Sequence, residues 1–84
     1  MNLLYLFNNK LSGPIPAELG NCISLEDCRL EENNLSGSIP SELGNLKNLV
    51  YLYLQNNNLS GSIPQSILNL PKLKYFYYYG NNLN

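Results

Sequence analysis

The sequence predicts a repeat protein of the α/β class, in which coils of 24 residues stack into a solenoid with one short parallel strand per coil. Three observations predict this fold. The octapeptides NKLSGPIP, NNLSGSIP and NNLSGSIP begin at Asn9, Asn33 and Asn57, so one motif returns at a constant interval. Each motif is preceded by an L-x-L-type alternation, which is typical of a half-buried strand. Each motif also carries the glycine and proline residues that are typical of turns.

The strands are predicted by two apolar columns that recur with the repeat. The first column contains Leu4, Cys28, Leu52 and Phe76, and the second contains Leu6, Leu30, Leu54 and Tyr78. Alternating residues of a strand point to one face, so we expect both columns to point inward. A single coil cannot bury these side chains, whereas coils stacked about 4.8 Å apart bury them continuously. We therefore expect one curved parallel sheet.

A column of asparagines follows the strands, at the position where each coil must turn inward. Its members are Asn9, Asn33, Asn57 and Asn81. Backbone groups that turn inside a solenoid have no access to water and need hydrogen-bond partners. An asparagine side chain supplies both a donor and an acceptor. We interpret this column as a structural ladder and not as a binding site.

The rest of each coil is predicted to form a turn on the opposite side. The glycine of each motif gives the backbone freedom, and the following Ile-Pro pair directs the chain away from the strand. The segments AELGN and SELGN predict short 3₁₀ or helical turns that end at Gly20 and Gly44. The third coil has Leu68 in the glycine position and Pro71 soon after, so we expect its turn to differ in shape.

The repeat unit reads L-x-x-L-x-L-x-x-N-x-L-S-G-x-I-P-x-x-L-G-x-L-x-x. It resembles the leucine-rich repeat, and its LSGxIP portion resembles the plant-type subclass of that family. The resemblance covers the chain as coils 1–24, 25–48 and 49–72 and a partial coil 73–84. It implies a right-handed leucine-rich-repeat solenoid with a mostly irregular or 3₁₀ convex side.

The resemblance also implies a function and a location. Similar domains bind peptides or proteins in the extracellular part of plant receptor-like kinases and receptor-like proteins, sometimes with a co-receptor. They sit on the extracellular face of the plasma membrane and usually carry a signal peptide, cysteine-paired caps and a membrane span. We find none of these in the sequence. We therefore expect a fragment of a longer chain, without terminal caps, whose apolar ends self-associate.

Composition excludes several other functions. The net charge is −1 and the five basic residues are scattered, which argues against binding of nucleic acid or of anionic lipid. Apolar residues make up 44 % of the chain, which is typical of an ordered protein. The chain has no histidine and no catalytic or phosphate-binding motif, so the sequence predicts no enzyme, no metal site and no cofactor. No apolar run approaches the roughly 20 residues that span a bilayer.

Function is expected at the variable, outward positions of the strands, on the concave face. The candidate ligand-binding residues there are Tyr5, Phe7, Glu26, Asp27, Arg29, Glu31, Tyr51, Tyr53, Gln55, Tyr75, Tyr77 and Tyr79. The aromatic residues either stabilise the sheet through cross-strand pairs or form a contact surface. The acidic residues, which include Glu32, are either a solvated row or a stripe that attracts a basic peptide.

Three further features leave alternatives open. Cys22 and Cys28 occupy leucine columns, so we interpret them as buried apolar residues, with a mutual disulfide as the alternative. Asn34 and Asn58 each begin an N-x-S sequon, which is meaningful only in the secretory route. For function, the alternative to a recognition module is a scaffold array, from a truncated gene product or a repeat-based design, that binds no specific ligand.

Overall fold

The computed structural model describes residues 2–84, which form stacked coils with two parallel sheets. Within these residues, the four strands of sheet A are β1 (Leu3–Tyr5), β3 (Asp27–Arg29), β5 (Tyr51–Tyr53) and β7 (Tyr75–Tyr77). The four strands of sheet B are β2 (Ser12–Pro14), β4 (Asn34–Ser38), β6 (Asn58–Gly61) and β8 (Asn82–Leu83). In both sheets each strand pairs with the equivalent strand of the next coil.

The leucine columns form the buried core, as the sequence predicts. Leu30 and Leu54 are 4 % and 0 % exposed, which confirms that the strands turn these side chains inward. The same columns are more open in the first and last coils, where Leu6 and Tyr78 are exposed. Each of those coils has a neighbouring coil on one side only, so its apolar residues have fewer packing partners.

The expectation of a single sheet is wrong, because each coil contributes a second strand after its asparagine turn. The Asn34 amide donates to the carbonyl oxygen of Leu11 at 2.7 Å, and pairing of this kind continues along sheet B. The glycine inside this segment has a positive φ, +76° at Gly37, which side-chain-bearing residues rarely adopt. Sheet A pairs equivalent repeat positions, whereas sheet B pairs Ser12 with Asn34, two positions before its repeat equivalent Ser36.

Short helical turns connect sheet B to the next strand of sheet A. The first two coils have 3₁₀ turns at Ala17–Asn21 and Ser41–Asn45, and the third has a helix α1 at Gln65–Leu68. The different third turn is therefore confirmed. Gly20 does not end its turn, which continues to Asn21, and Gly44 behaves in the same way. Gly20 instead permits close packing, because a Cβ atom there would collide with the carbonyl oxygen of Glu42 in the next coil.

The asparagine ladder joins each coil to the one before it. Asn33 Oδ1 accepts a hydrogen bond from the Leu11 amide at 2.9 Å. Its Nδ2 donates to the carbonyl oxygens of Leu30, in the same coil, and Leu6, in the preceding coil, both at 3.0 Å. The equivalent bonds are made by Asn57 and Asn81. These side chains satisfy backbone groups that the turn removes from water.

Among residues 2–84, no helix combines the length and the hydrophobicity that crossing a bilayer requires.

Candidate functional site

Tyrosine rings stack along the outward side of sheet A. The Tyr51 and Tyr75 rings are 4.9 Å apart at an interplanar angle of 8°, and those of Tyr53 and Tyr77 are 4.8 Å apart at 24°. In-register parallel pairing places equivalent repeat positions side by side, so a tyrosine in one coil meets a tyrosine in the next. We call this surface the tyrosine face and define it by Tyr5, Tyr51, Tyr53, Tyr75 and Tyr77.

An arginine lies at the centre of the tyrosine face. Arg29 donates from Nε to Asp27 Oδ1 at 2.9 Å and from Nη2 to Asp27 Oδ2 at 3.0 Å. Its Cζ atom is 4.9 Å from the ring centre of Tyr5, 4.7 Å from that of Tyr53 and 5.7 Å from that of Tyr51. A planar guanidinium attracts aromatic faces at such distances, so Arg29, in the second coil, links rings of the first and third coils.

The charge of Arg29 is balanced by Asp27. Burial opposes ionisation of Asp27, but hydrogen bonds from Arg29 and Tyr5 and the positive charge of Arg29 outweigh it, and the pKa of Asp27 lies below its ordinary value. The Tyr5 hydroxyl donates to Asp27 Oδ2 at 2.8 Å, and this bond raises the pKa of Tyr5. The hydrogen bonds with Asp27 also raise the pKa of Arg29. Asp27 and Arg29 are therefore both charged at neutral pH and together nearly neutral.

The row of acidic residues is less exposed than the sequence suggests. Asp27 is only 5 % exposed, because the Tyr5 hydroxyl and the Arg29 guanidinium occupy its carboxylate. Asp27 is therefore not at an open position, and its role as a ligand contact stays a prediction. Glu26 is exposed and Glu31 is half-buried. Negative charge thus remains on the residues that flank β3, outside the Asp27–Arg29 pair.

Two residues beyond the end of each sheet A strand lies a further column, made of Phe7, Glu31, Gln55 and Tyr79. Two of its members have polar side chains with a buried oxygen that lacks a hydrogen-bond donor within residues 2–84. Gln55 is 8 % exposed, so it too is buried where the sequence predicts an open position. The side-chain oxygens Glu31 Oε1 and Gln55 Oε1 are buried and have no hydrogen-bond partner within residues 2–84. Phe7 and Tyr79, the flanking members of the column, are exposed aromatic residues.

The surface is open and lacks a cavity. Across residues 2–84 the structure contains no pocket and no group of acidic or cysteine residues that could hold a metal ion. Small-molecule sites are usually concave and enclose most of the ligand. The tyrosine face is therefore an open surface and not an enclosed site.

Two local features were not found from the sequence. The first is the cluster of Tyr5, Asp27 and Arg29, although an acid and a base two residues apart on a strand share one face. The second is a rim of left-handed residues that includes Glu32, with a φ of +58°, and Asn56, with a φ of +60°. Asn56 Nδ2 donates to Glu32 Oε2, so this rim is also hydrogen-bonded from coil to coil. The L-x-L pattern carries no signal for either feature.

The cysteines and sequons lie away from the tyrosine face. Cys28 is buried in its leucine column and Cys22 is half-buried, and both are free thiols. Burial raises the pKa of the Cys28 thiol to about 12. Asn34 and Asn58 are exposed at the first positions of β4 and β6, and neither side chain has a hydrogen-bond partner within the described residues.

Comparison with known proteins identifies the repeat. A family model described as Leucine Rich Repeat matches residues 1–22, 24–46 and 48–70. A search of curated proteins found no match.

Solved structures with the same coil include plant receptors. The chain is 43 % identical to a TDR receptor, with a TM-score of 0.97. The alignment covers 99 % of this chain and 14 % of the receptor chain. It is 38 % identical to a chain of the Arabidopsis receptor kinase HAESA complex with the peptide hormone IDA and the co-receptor SERK1. There the TM-score is 0.91, with coverage of 98 % of this chain and 14 % of that one.

The coil is not confined to receptors. A plant ice-binding protein is 33 % identical to the chain, with a TM-score of 0.94 and coverage of 99 % of this chain and 27 % of that one. The chain therefore spans less than a third of the length of each of these three proteins. Since one coil serves different functions, the function must be argued from the exposed side chains.

Proposed function

Because the chain belongs to the leucine-rich-repeat family, we propose that it is a recognition module that binds a peptide or protein along the tyrosine face. The observation that carries this proposal is the double row of stacked tyrosines around Arg29. Tyrosine offers a large, rigid contact area with a polar tip, and it loses little conformational entropy on binding. Stacking and the Asp27–Arg29 pair hold the rings in place before a ligand arrives, which lowers the cost of binding.

Cross-strand stacking leaves several of the rings exposed to solvent. Tyr77 stacks on Tyr53 and is still 40 % exposed, and Tyr5, Tyr75 and Tyr79 are also exposed. A contiguous exposed aromatic surface favours a binding site over a purely structural one. The absence of a pocket within residues 2–84 favours an extended peptide or a protein surface as the ligand.

The parent protein is proposed to be a plant-type receptor-like kinase or receptor-like protein, with this chain in its extracellular domain. The likeness to a TDR receptor and to the HAESA complex supports this assignment. A co-receptor as a second partner, signal transduction as the role and a glycosylated ectodomain at the plasma membrane follow from the same proposal. The coding sequence that flanks the segment for this chain in the full gene tests this assignment. A signal peptide upstream and a membrane span downstream are expected, and their absence from the full gene contradicts the receptor assignment.

Binding itself is tested with a displayed library of random peptides, panned against the full chain. Peptides that bind should lose at least about tenfold in affinity for the Tyr53→Ala/Tyr77→Ala double variant, since large aromatic contacts dominate interface energies. Tyr78→Ala is the matched control, because Tyr78 is 43 % exposed but lies outside the tyrosine face. Circular dichroism of each variant checks the fold.

The outcome separates the two function classes. Equal binding to the chain and to the double variant places the contact elsewhere and contradicts the proposal. If the library yields no binder to the folded chain, the scaffold alternative is favoured.

A further inference from the structure

Two side-chain oxygens at one end of the tyrosine face, on neighbouring coils, have no hydrogen-bond donor within residues 2–84. Glu31 and Gln55 follow β3 and β5 at equivalent repeat positions, and the Glu32 amide donates to the Gln55 carbonyl oxygen at 3.1 Å. The two residues are therefore in register on neighbouring strands, about 4.8 Å apart along the stack. Both have a buried side-chain oxygen, Oε1, that no donor within residues 2–84 satisfies. Orphan buried acceptors of this kind require an explanation.

The backbone beneath these side chains is rigidly held. The Glu31 carbonyl oxygen accepts from the Asn8 amide at 3.0 Å and from Asn33 Nδ2 at 3.1 Å. The Gln55 carbonyl oxygen is held in the same way by the Glu32 amide and by Asn57 Nδ2. The asparagine ladder thus fixes the positions from which both side chains project. A binding group mounted on a rigid element is more precise than one on a mobile loop.

The local charge has no internal counterpart. The cation nearest along β3, Arg29, is committed to Asp27 through two hydrogen bonds. This is the one ion pair within residues 2–84, so the Glu31 carboxylate has no basic partner. Glu32 beside it is hydrogen-bonded to the neutral Asn56 and adds a second negative charge. A positive donor from outside the chain is the group that this end of the surface lacks.

We propose that Glu31 and Gln55 form an acceptor site for a lysine or arginine side chain of a peptide bound along the tyrosine face. The inference rests on the proposed function and specifies its ligand, a peptide with a basic residue at this position. Glu31 supplies the charged acceptor and Gln55 a neutral one. Hydrogen bonds between an ionised donor and a carboxylate are about twice as strong as neutral ones.

The surroundings fit a long basic side chain. Phe7 and Tyr79 flank the acceptor pair along its column, and Tyr53 precedes Gln55 by two residues. Aromatic rings pack against the aliphatic stem of lysine or arginine and attract its charged end. The terminal torsion of a Glu or Gln side chain is broad, so each oxygen turns toward a ligand at little cost.

A titration with small probes tests the site without any known ligand. The full chain is labelled with ¹⁵N and titrated with N-acetyl-arginine amide, while the Gln55 side-chain amide signals and the Glu31 backbone amide signal are followed. Both should shift with the arginine probe. N-acetyl-citrulline amide, a neutral probe of nearly the same shape, should cause at most a small shift. Equal shifts with both probes, or none at Gln55, overturn the proposal.

Matched variants separate the acceptor site from general charge attraction. Glu31→Gln should weaken binding of the arginine probe about tenfold, because the charged acceptor is lost. Glu32→Gln removes the same charge from the neighbouring position and should change binding less than about threefold. Similar losses in the two variants mean non-specific attraction and overturn the proposal. The amide signals of both variants confirm that they are folded.

The peptide library distinguishes failure of this inference from failure of the proposed function. Selected peptides should contain lysine or arginine and bind Glu31→Gln about tenfold more weakly. Selected peptides without a basic residue, which bind Glu31→Gln as tightly as the unchanged chain, leave the recognition module standing and refute the acceptor site. If no peptide is selected, the proposed function fails, and the arginine titration still decides whether the acceptor pair binds a cation.

Discussion

Asp27 and Arg29 lie two residues apart on β3 and form a two-point ion pair, with Nε–Oδ1 and Nη2–Oδ2 distances of 2.9 and 3.0 Å. The pair holds the guanidinium plane against the rings of Tyr5 and Tyr53. Because Asp27 is buried and Arg29 is partly covered, the two charges act as a structural link between coils. The pair therefore organises the tyrosine face, while its net charge remains close to zero.

Replacing the acid of this pair should destabilise the chain in a pH-dependent way. Asp27→Asn should lower the free energy of unfolding by about 1–3 kcal/mol at pH 7, because it weakens charged hydrogen bonds in a buried place. The pKa of Asp27 is lowered in the folded chain, so its contribution is complete above the ordinary value of about 3.9 and disappears as the pH falls through the lowered value. Urea denaturation at several pH values measures this.

The sign of the pH dependence is the decisive part of that experiment. The difference in stability between the chain and Asp27→Asn should be constant near neutral pH and should shrink below about pH 4. Glu26→Gln, at the exposed residue next to Asp27, should change the free energy of unfolding little at any pH. A difference between the chain and Asp27→Asn that grows toward acid contradicts the assigned charge state of Asp27.

The asparagine ladder should be sensitive to loss of its amides. Asn57→Leu keeps the approximate size but leaves the Leu35 amide without its acceptor and removes one of the two asparagine donors to the Leu54 carbonyl oxygen, so a loss of about 2–3 kcal/mol is expected. Chemical denaturation measures the loss. Asn58→Leu is the control, because Asn58 is exposed and should tolerate the change with a loss under about 0.5 kcal/mol. An unchanged midpoint for Asn57→Leu would reject the ladder as a stabilising element.

The left-handed rim offers a stabilising substitution. Glu32 has a φ of +58°, while Asn8 and Asn56 occupy the equivalent positions of neighbouring coils with φ near +60°. Asparagine adopts this conformation more readily than glutamate, so Glu32→Asn should raise the free energy of unfolding by about 0.5–1 kcal/mol. Thermal denaturation should show a higher midpoint for Glu32→Asn and no rise for Glu26→Asn. A lower midpoint for Glu32→Asn means that its bond from Asn56 outweighs the backbone strain.

The two thiols should differ in reactivity. Cys28 is buried and its pKa is raised to about 12, so very little thiolate exists at pH 8 and alkylation of the folded chain should be slow. Cys22 is half-buried and should react first. Mass spectrometry of digested chain after brief iodoacetamide treatment gives the order. Both should react at similar rates in urea, and rapid labelling of Cys28 in the native chain would argue against its burial.

The sequons give a test of the proposed secretory route. Expression with a signal peptide in plant cells should add glycans at Asn34 and Asn58, because both side chains are exposed and free of hydrogen bonds within the described residues. Enzymatic removal of glycans should shift the mass in two steps. Ser36→Ala and Ser60→Ala should each abolish one step. An unmodified secreted chain shows that the sequons are not used.

Most of the fold can be predicted from the 24-residue repeat of the sequence. The rest depends on contacts between residues that are not repeat equivalents. The leucine columns and the asparagine turn are predictable because burial and polar satisfaction depend on residue type at fixed spacing. The second sheet is not, since its pairing is shifted and unites Ser12 with Asn34, which are not repeat equivalents. A search for equivalent positions therefore overlooks it.

The candidate site also has one part that the sequence predicts and one part that it does not. The tyrosine columns are visible in the sequence, because in-register pairing places Tyr53 beside Tyr77. The burial of Asp27 is not, because it depends on the Tyr5 hydroxyl and the Arg29 guanidinium converging on one carboxylate from two coils. The unpartnered oxygens of Glu31 and Gln55 likewise become apparent only when every neighbouring donor is placed.

The like-with-like pairing of sheet A has an evolutionary consequence. Duplicating the DNA that encodes residues 49–72 would insert one more coil between the third and the fourth. Its tyrosines would stack between those of the two neighbouring coils, because sheet A pairs equivalent repeat positions. The aromatic surface would lengthen by one rung without any new side chain having to be selected. Unequal recombination can therefore adjust the length of such a surface to a longer or shorter partner in whole-repeat steps.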